Sequence, residues 1–354
     1  MSATPPRGTS GLACNEPTQG PWQRVWARFK HHRRGYLSLW LFSVLFVLSL
    51  GAELLANNRP LLIYYQYQLY VPLIHNYPET AFGGDFATNA DYTDPYVIAK
   101  IRAHGWLLRA PIPFSYDTID YYNPAPNPAA PTSRHWLGTD DRGRDVAARL
   151  IYGFRLSVLF GFALTAIGMV IGMLAGAIQG YLGGKVDLFF QRFIEIWGSL
   201  PELYLLIIFA SIFEPSIGLL LILLSLFGWI GLSDYVRAEF LKGRNLEYIR
   251  AARALGVSSP RIMLRHLLPN AMTPVITFLP FRVSGAILAL TSLDFLGLGV
   301  PPSTPSLGEL LAQGKNNIDA WWLSLTTFGV LVGTLLLLIF IGEALRAALD
   351  TRKA

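Results

Sequence analysis

The sequence predicts an all-α integral membrane protein with six transmembrane helices and a long polar insertion after the first of them. Three observations carry that expectation. Of 354 residues, 52% are hydrophobic and only 15% are charged, against roughly a quarter charged in soluble domains. The apolar residues gather in runs long enough to cross a hydrocarbon core, which takes about 20 residues as a helix. The basic residues behind the net charge of +6 lie beside those runs, where they orient a chain in a bilayer; no nucleic-acid-binding motif accompanies them. A soluble protein can bury one or two such helices, but six leave too little polar surface to cover a core.

Residues 1–35 read as a basic N-terminal tail. Its first 20 residues are rich in Pro, Gly, Ser and Thr and are expected to be disordered. Cys14 is the one cysteine, so neither a disulfide nor a cysteine metal site can form. No apolar stretch precedes it, so it reads as an ordinary thiol and not as a processing site. From Trp22 to Gly35 the chain carries Arg24, Arg28, Lys30, Arg33 and Arg34 and no acid, which keeps the N-terminus inside.

Spans are expected at Tyr36–Ala56, Leu156–Gln179, Ser199–Phe213, Ile217–Ser233, Ala271–Leu298 and Trp322–Gly342. The third is short and continues a helix beginning near Val186; a re-entrant third and fourth pair would reduce the count to five. Alternation places residues 57–155 outside, the segment between spans four and five inside, and Arg346, Arg352 and Lys353 of the C-terminus inside. Residues 57–135 are rich in Tyr, Asn, Asp and Pro and close with the Pro124–Pro131 run. Roughly 80 residues exceed a plain connection, so this insertion is expected to be a small ordered cap. Its Tyr64, Tyr65, Tyr67, Tyr70 and Trp106 supply either a packed core or a contact surface. Residues 136–350 form the main membrane domain. Within it, Asp145–Tyr152 is expected as an interfacial amphipathic helix, and Gly161, Gly168, Gly172 and Gly176 let a neighbouring helix approach the second span closely.

The inner segment, residues 236–270, holds Arg237, Lys242, Arg244, Arg250, Arg253, Arg261 and Arg265 against Glu239 and Glu247. Glu247–Pro269 reads as two short helices joined by a turn. Asn245 caps the first, with Glu247 in its positive first turn. Gly256 takes the left-handed conformation that ends it. Ser259 caps the second with Pro260 at its first position, and Pro269 ends that helix or bends it into the fifth span. Ala251 and Ala252 thin one side for a close partner; Tyr248, Leu255 and Ile262 offer apolar anchors and the arginines a basic rim. Composition alone favours an ordinary helical hairpin.

The spacing resembles a cytoplasmic motif shared by ABC importer permeases: Glu-Ala-Ala, three residues, Gly, nine residues, Ile, any residue, Leu-Pro. Here Arg250-Ala251-Ala252 is followed after three residues by Gly256, and after nine more by His266-Leu267-Leu268-Pro269. Arg250 stands where the family has Glu, and His266 where it has Ile, which alters the electrostatics of the contact. His135-Trp-Leu-Gly-Thr-Asp140-Asp-Arg-Gly-Arg-Asp145-Val, Arg155-Leu-Ser, Gly180-Tyr-Leu-Gly-Gly-Lys-Val-Asp187, Leu293-Asp-Phe-Leu-Gly-Leu-Gly299 and Pro305-Ser-Leu-Gly308 resemble the dipeptide and oligopeptide permeases over residues 133–350. The insertion, with Asp85-Phe-Ala and Asp91-Tyr-Thr-Asp-Pro95, and Gln191–Trp197 are similar to the Yej-type permeases of microcin C and oligopeptide importers.

That resemblance implies a type I ABC importer permease in the cell inner membrane, with cytoplasmic termini and a periplasmic insertion. It implies half of a translocation pathway for peptides or peptide-like compounds. The implied partners are a homologous second permease subunit, ABC ATPase subunits, and a periplasmic substrate-binding protein. The coupling residues carried over are Tyr248, Arg250, Ala251, Ala252, Leu255, Gly256, His266, Leu268 and Pro269.

No Gly-x-x-x-x-Gly-Lys-Ser/Thr loop occurs; Gly183-Gly184-Lys185-Val186 and Gly314-Lys315-Asn316 both fail. The chain is therefore expected to be no enzyme and to bind no cofactor, with ATP and Mg held by partner ATPase subunits. Gly-x-Ser-x-Gly and His-Glu-x-x-His are also missing, and the six His, at 31, 32, 75, 104, 135 and 266, follow no ligand spacing. Inverted repeats, the mark of a secondary transporter, are not evident. Ionisable groups within spans are costly and face a cavity or a partner. Arg282, about 16 Å into the fifth span, is expected either to meet a substrate carboxylate or to pair with Glu195, Glu202 or Asp294.

Overall fold

Two helices open the part of the chain that this computed structural model describes, residues 20–350; Cys14, Arg352 and Lys353 lie outside the described residues. Helices α1 (Pro21–His31) and α2 (Arg33–Leu50) meet at His32, whose φ of −80° and ψ of 80° break the helix and turn the chain. α2 stops at Gly51, short of the expected Ala56, and a separate turn, α3 (Ala52–Leu55), follows. Glycine is a poor helix former. Beyond it, Glu53 pairs with Arg155 at 2.9 Å, and Ala52 and Ala56 bury against Phe114 and Tyr152.

The insertion is ordered, but not by helices alone. Strands β1 (Leu62–Tyr65), β2 (Gln68–Tyr70) and, after α4 (Pro95–His104), β3 (Gly105–Leu108) form an antiparallel sheet in the order β2-β1-β3. The β1–β2 turn is made by Gln66 and Tyr67 at φ 47° and 63°, the doubly left-handed pair that matches strand twist in a two-residue hairpin. Asp94 caps α4 by accepting from the Tyr96 amide at 2.8 Å. Strand alternation divides the aromatics. Tyr65 is buried with Ile63, Phe82, Tyr92, Val97 and Ile101, and Tyr70 packs on that core. Tyr64 stacks on Trp106 across β1 and β3, and Tyr67 stands 94% exposed.

The membrane domain follows: α5 (Val146–Leu182), α6 (Gly184–Gly198), α7 (Glu202–Ile212), α8 (Ile217–Gly228), α9 (Ile230–Gly243), α10 (Glu247–Ala254), α11 (Ser259–Arg261), α12 (Leu268–Phe295), α13 (Leu307–Asn316) and α14 (Trp321–Leu349). Among the described residues, five stretches are long and apolar enough to cross a membrane: Arg33–Leu50, Val146–Leu182, Ile217–Gly243, Ser259–Phe295 and Trp321–Leu349. α6 and α7 make a sixth as one broken span, bent by 65°. Pro201 lies in the break and has no amide to continue a helix. The Asp145–Tyr152 stretch is not a separate interfacial helix. Asp145 accepts from the Ala148 amide at 2.8 Å and caps α5, which then runs unbroken because its first turns bury Val146, Ala148 and Leu150.

Antiparallel packing sorts the connections onto two ends. At one end α2 begins against the last turns of α14, where a side chain on Gly35 would collide with Ala344. Also there, Tyr181 at the end of α5 bonds Ser259. At the other end Tyr152 donates to the Ala56 carbonyl at 3.0 Å and Trp322 to the Thr139 carbonyl at 3.3 Å. α1, the 247–269 segment and the end of α14 therefore share one end, and the insertion occupies the opposite one. The glycine stripe of α5 acts as expected. Gly161 abuts Val283 and Ile287 of α12, and Gly172 and Gly176 abut Trp229, Leu232, Ser233 and Val236 of the α8–α9 span.

Candidate coupling surface and buried polar groups

The segment from Glu247 to Pro269 folds as two short helical pieces around a left-handed turn. Leu246, not Asn245, sits at the start of α10. The Asn245 side chain instead donates back to the Leu241 carbonyl at 3.3 Å, filling an orphan acceptor of α9. Gly256 has φ +77°. Its amide bonds the Arg253 carbonyl at 3.0 Å and the Val257 amide bonds Ala252 at 3.1 Å. These paired bonds satisfy the last carbonyls of a helix through a left-handed residue.

The second piece starts one residue earlier than expected. Ser258 precedes it, while the Ser259 hydroxyl accepts from Tyr181 Oη at 3.3 Å. Pro269 does not end it. A π turn over Ile262–Leu267 leads without interruption into α12, with Pro269 in the first turn. The extra residue of a π turn shifts the bonding register, and at that shift the helix tolerates Pro269, which has no amide to donate.

One face of the segment is rooted in the bundle. Ile249 and Ile262 are fully buried and Leu267 is nearly so, among Tyr181, Leu232, Val236, Phe240, Ala271 and Val275. Each such burial is worth about 1.5–3 kcal/mol. Ile262, expected as an anchor for a partner, is thus an internal anchor. It shares a face with Ile249 that turns inward. Arg253 lies over the Tyr181 ring at 5.4 Å, and Arg244 donates to the Tyr181 carbonyl at 3.3 Å.

The other face is bare. Leu255 is 83% exposed at the tip, with Tyr248 and Leu264 also exposed among Arg250, Arg261 and Arg265. Ala251 is exposed and Ala252 half-buried. Tyr248 is oriented by Asn270, which donates to its hydroxyl at 3.1 Å and to the His266 carbonyl at 3.3 Å. His266 and Leu268 are half-buried and Pro269 is exposed. The result is a fixed apolar knob in a basic field, suited to an apolar socket with acidic edges.

The four ionisable groups expected near a pathway do not converge. Arg282 donates to the Gly228 carbonyl, freed where α8 gives way to α9. Its Nε has no hydrogen-bond partner among the described residues. It forms no ion pair with Glu195, Glu202 or Asp294 among the described residues. Glu195 bonds Arg192 at 2.5 Å. Glu202 is exposed at the start of α7. Asp294 accepts from Ser306 Oγ and from the Val300 amide at 2.9 Å, which fastens the connection between α12 and α13.

The densest charge cluster lies at the opposite end, in the His135–Val146 motif. Arg149 is fully buried, with Nη2 2.5 Å from Glu309 and Nε 3.6 Å from Asp140. Arg144 bonds Asp140 at 2.7 Å and Glu309 at 3.3 Å, and donates to the Pro302 carbonyl at 2.8 Å. Beside them, His135 is held between Asp145 at 2.8 Å and Asp120 at 3.1 Å and stacks on Phe114. Burial disfavours its charge, but the two carboxylates outweigh burial and raise its pKa above the ordinary value. Three acids and three bases within Asp140–Asp145 and Arg149 signal this cluster, yet Glu309 is remote in sequence.

Residues 168–354 match the family model described as binding-protein-dependent transport system inner membrane component, and residues 20–78 match the N-terminal TM domain of oligopeptide transport permease C. The chain is 55% identical to the inner membrane ABC transporter permease protein YejE of Escherichia coli (strain K12), over 94% of this chain and 97% of that protein. It is 50% identical to the peptidoglycan transport system permease protein YejE of Agrobacterium fabrum, over 100% and 99%. To the oligopeptide transport system permease protein OppC of Haemophilus influenzae it is 36% identical, over 73% and 81%. A solved chain of the MetNI methionine ABC transporter, in an inward facing conformation, aligns with a TM-score of 0.48 at 18% identity, over 57% of this chain and 96% of that one.

Proposed function

The chain belongs to the family of binding-protein-dependent transport system inner membrane components, and from that premise we propose that Glu247–Pro269 is its docking element for an ATPase. It is a multi-pass inner membrane permease subunit of an ABC importer. Such a permease works with an ATPase and a substrate-binding protein. In our reading ATP and Mg sit on that separate ATPase, a second permease completes the pathway, and the binding protein delivers cargo to the insertion side. Both termini are cytoplasmic and residues 57–155 periplasmic. Basic residues clustered at the α1, 247–269 and α14 end support that orientation. Relatives named for peptidoglycan and for oligopeptide transport support a peptide or peptide-like cargo.

The observation that carries the reading is the two-sidedness of the segment. Ile249 and Ile262 lock it to α5 and α9, the π turn makes it one body with α12, and Tyr248, Leu255 and the arginines stay bare. A partner that seizes Leu255 therefore moves α12, and with it Arg282 at the α8–α9 break. A shift follows only if the ATPase holds the segment differently in its two states. Arg282, Asp294, Glu195 and Glu202 remain candidates for contact along the pathway, Arg282 first because its Nε lacks a partner among the described residues. Leu255→Asp tests the docking assignment. Removing the apolar knob and opposing the basic rim should abolish copurification of the ATPase while the permease stays in the membrane. Undiminished copurification would sink the assignment.

A further inference from the structure

α1 carries an apolar stripe of Trp22, Val25, Trp26 and Phe29, spaced three and four residues apart. Phe29, 3% exposed, docks on Ala344 and Ala348 of α14. The stripe then runs off the protein: Trp26 stacks on Phe29 at 5.6 Å but is 47% exposed, and Trp22 is 66% exposed. Uncovered tryptophans beside a span belong at a membrane–water interface. Below the His32 break, the outer side of α2 is likewise bare, with Leu37 at 66%, Trp40 at 57% and Leu41 at 51%. Lipid tails are the solvent of that face.

Where the start of α2 meets α14 lies a cavity of about 470 Å³. His31, His32, Arg33 and Arg34 line one side and Phe340 and Glu343 of α14 the other. Arg33 and Arg34 form no ion pair among the described residues, and no acid occurs between Gly20 and Leu50. Glu343 is the one carboxylate of the lining and is itself exposed. The volume suits a small ligand, and the lining is cationic above an apolar wall.

We propose that this cavity binds the headgroup of an anionic phospholipid. The phosphate sits between Arg33 and Arg34, and the acyl chains descend along Leu37, Trp40 and Leu41. Basic pockets between spans recognise anionic headgroups through the same charge complementarity. The proposal rests on the chain spanning a bilayer and not on ATPase docking, so the two fail separately.

The test uses the intact transporter complex, purified and then reconstituted in nanodiscs of phosphatidylcholine with or without phosphatidylglycerol. Lipid retained through delipidation is counted by native mass spectrometry. Wild type should keep phosphatidylglycerol and gain thermal stability from it but not from phosphatidylcholine. Arg33→Gln with Arg34→Gln should cut occupancy at least about tenfold, the effect of removing two cations at a membrane surface. Arg33→Lys with Arg34→Lys should keep most of it, and Lys185→Gln with Lys242→Gln, exposed at the same end but outside both the cavity and the docking segment, should keep all of it.

Equal retention in the glutamine double variant of Arg33 and Arg34 would overturn the proposal, as would equal loss in the Lys185 and Lys242 control. Displacement of the lipid by an equal concentration of inorganic phosphate would overturn it too, in favour of a soluble-anion site. If the double variant does not fold, the wild-type comparison decides, and equal stabilisation by both lipids counts against the site.

Discussion

Gly256→Val should abolish uptake while leaving membrane insertion and complex level near wild type. Space is not the reason, since no atom lies within 4 Å of where a Cβ would sit. The backbone is. At φ +77° an ordinary L-residue is disfavoured by about 1–2 kcal/mol, and a β-branched one by more. Relaxing that strain rotates the turn and breaks the bond from Val257 to Ala252, so Leu255 leaves its position relative to Ile262. The cost to global stability is modest because the turn is solvent-exposed, whereas the cost to coupling is large because docking depends on a fixed knob. Gly256→Asn separates the two effects, since asparagine adopts the left-handed conformation readily. Uptake by proteoliposomes, normalised to assembled complex, should be lost with Val and largely kept with Asn. Normal uptake with Val would sever Gly256 from coupling.

Glu309→Gln should produce the largest loss of stability among single changes at charged positions. Arg149 is fully buried and reaches Glu309 at 2.5 Å; Arg144 leans on the same carboxylate at 3.3 Å. Without it, two buried guanidinium groups share one carboxylate, that of Asp140, with only backbone carbonyls besides. Leaving a buried charge uncompensated costs about 3–5 kcal/mol. The loss should appear as a lower unfolding temperature in detergent. Glu195→Gln, which removes one partner of an exposed pair with Arg192, should cost no more than about 1 kcal/mol. Similar shifts for both variants would mean that the outer network holds nothing together.

Much of the fold is legible in the sequence because a bilayer leaves few options. Apolar runs located the spans but not their ends, since Val146–Leu182, Ile217–Gly243 and Ser259–Phe295 differ from the expected Leu156–Gln179, Ile217–Ser233 and Ala271–Leu298, and Pro201 accounts for the bend between α6 and α7. Gly256 was legible because a left-handed turn requires what glycine supplies.

What escaped was set by tertiary contact. The sheet of the insertion rests on strands of three and four residues and a left-handed turn at Gln66 and Tyr67, with no Asn or Gly to announce it. Ile262 looked like an exposed anchor because local pattern does not say which side of a hairpin faces the bundle. Arg282 found a carbonyl and not a carboxylate, since the α8–α9 break falls inside an unbroken apolar run. Glu309 completes a cluster whose other members lie 160 and 165 residues away, and local pattern cannot register that distance. Asn245 and Ser259 missed their capping positions for one reason: each found a competing partner, Leu241 and Tyr181.

Docking through the 247–269 segment is tested most directly by cross-linking. In a Cys14→Ser background, a thiol-reactive photo-cross-linker is placed at Leu255→Cys, or as a control at Tyr67→Cys on the insertion, also exposed but at the opposite end. Illumination of the assembled transporter should join the Leu255 position to the ATPase subunit, and the Tyr67 position to no ATPase. An ATPase adduct at Tyr67 and none at Leu255 would contradict both the docking surface and the orientation of the chain.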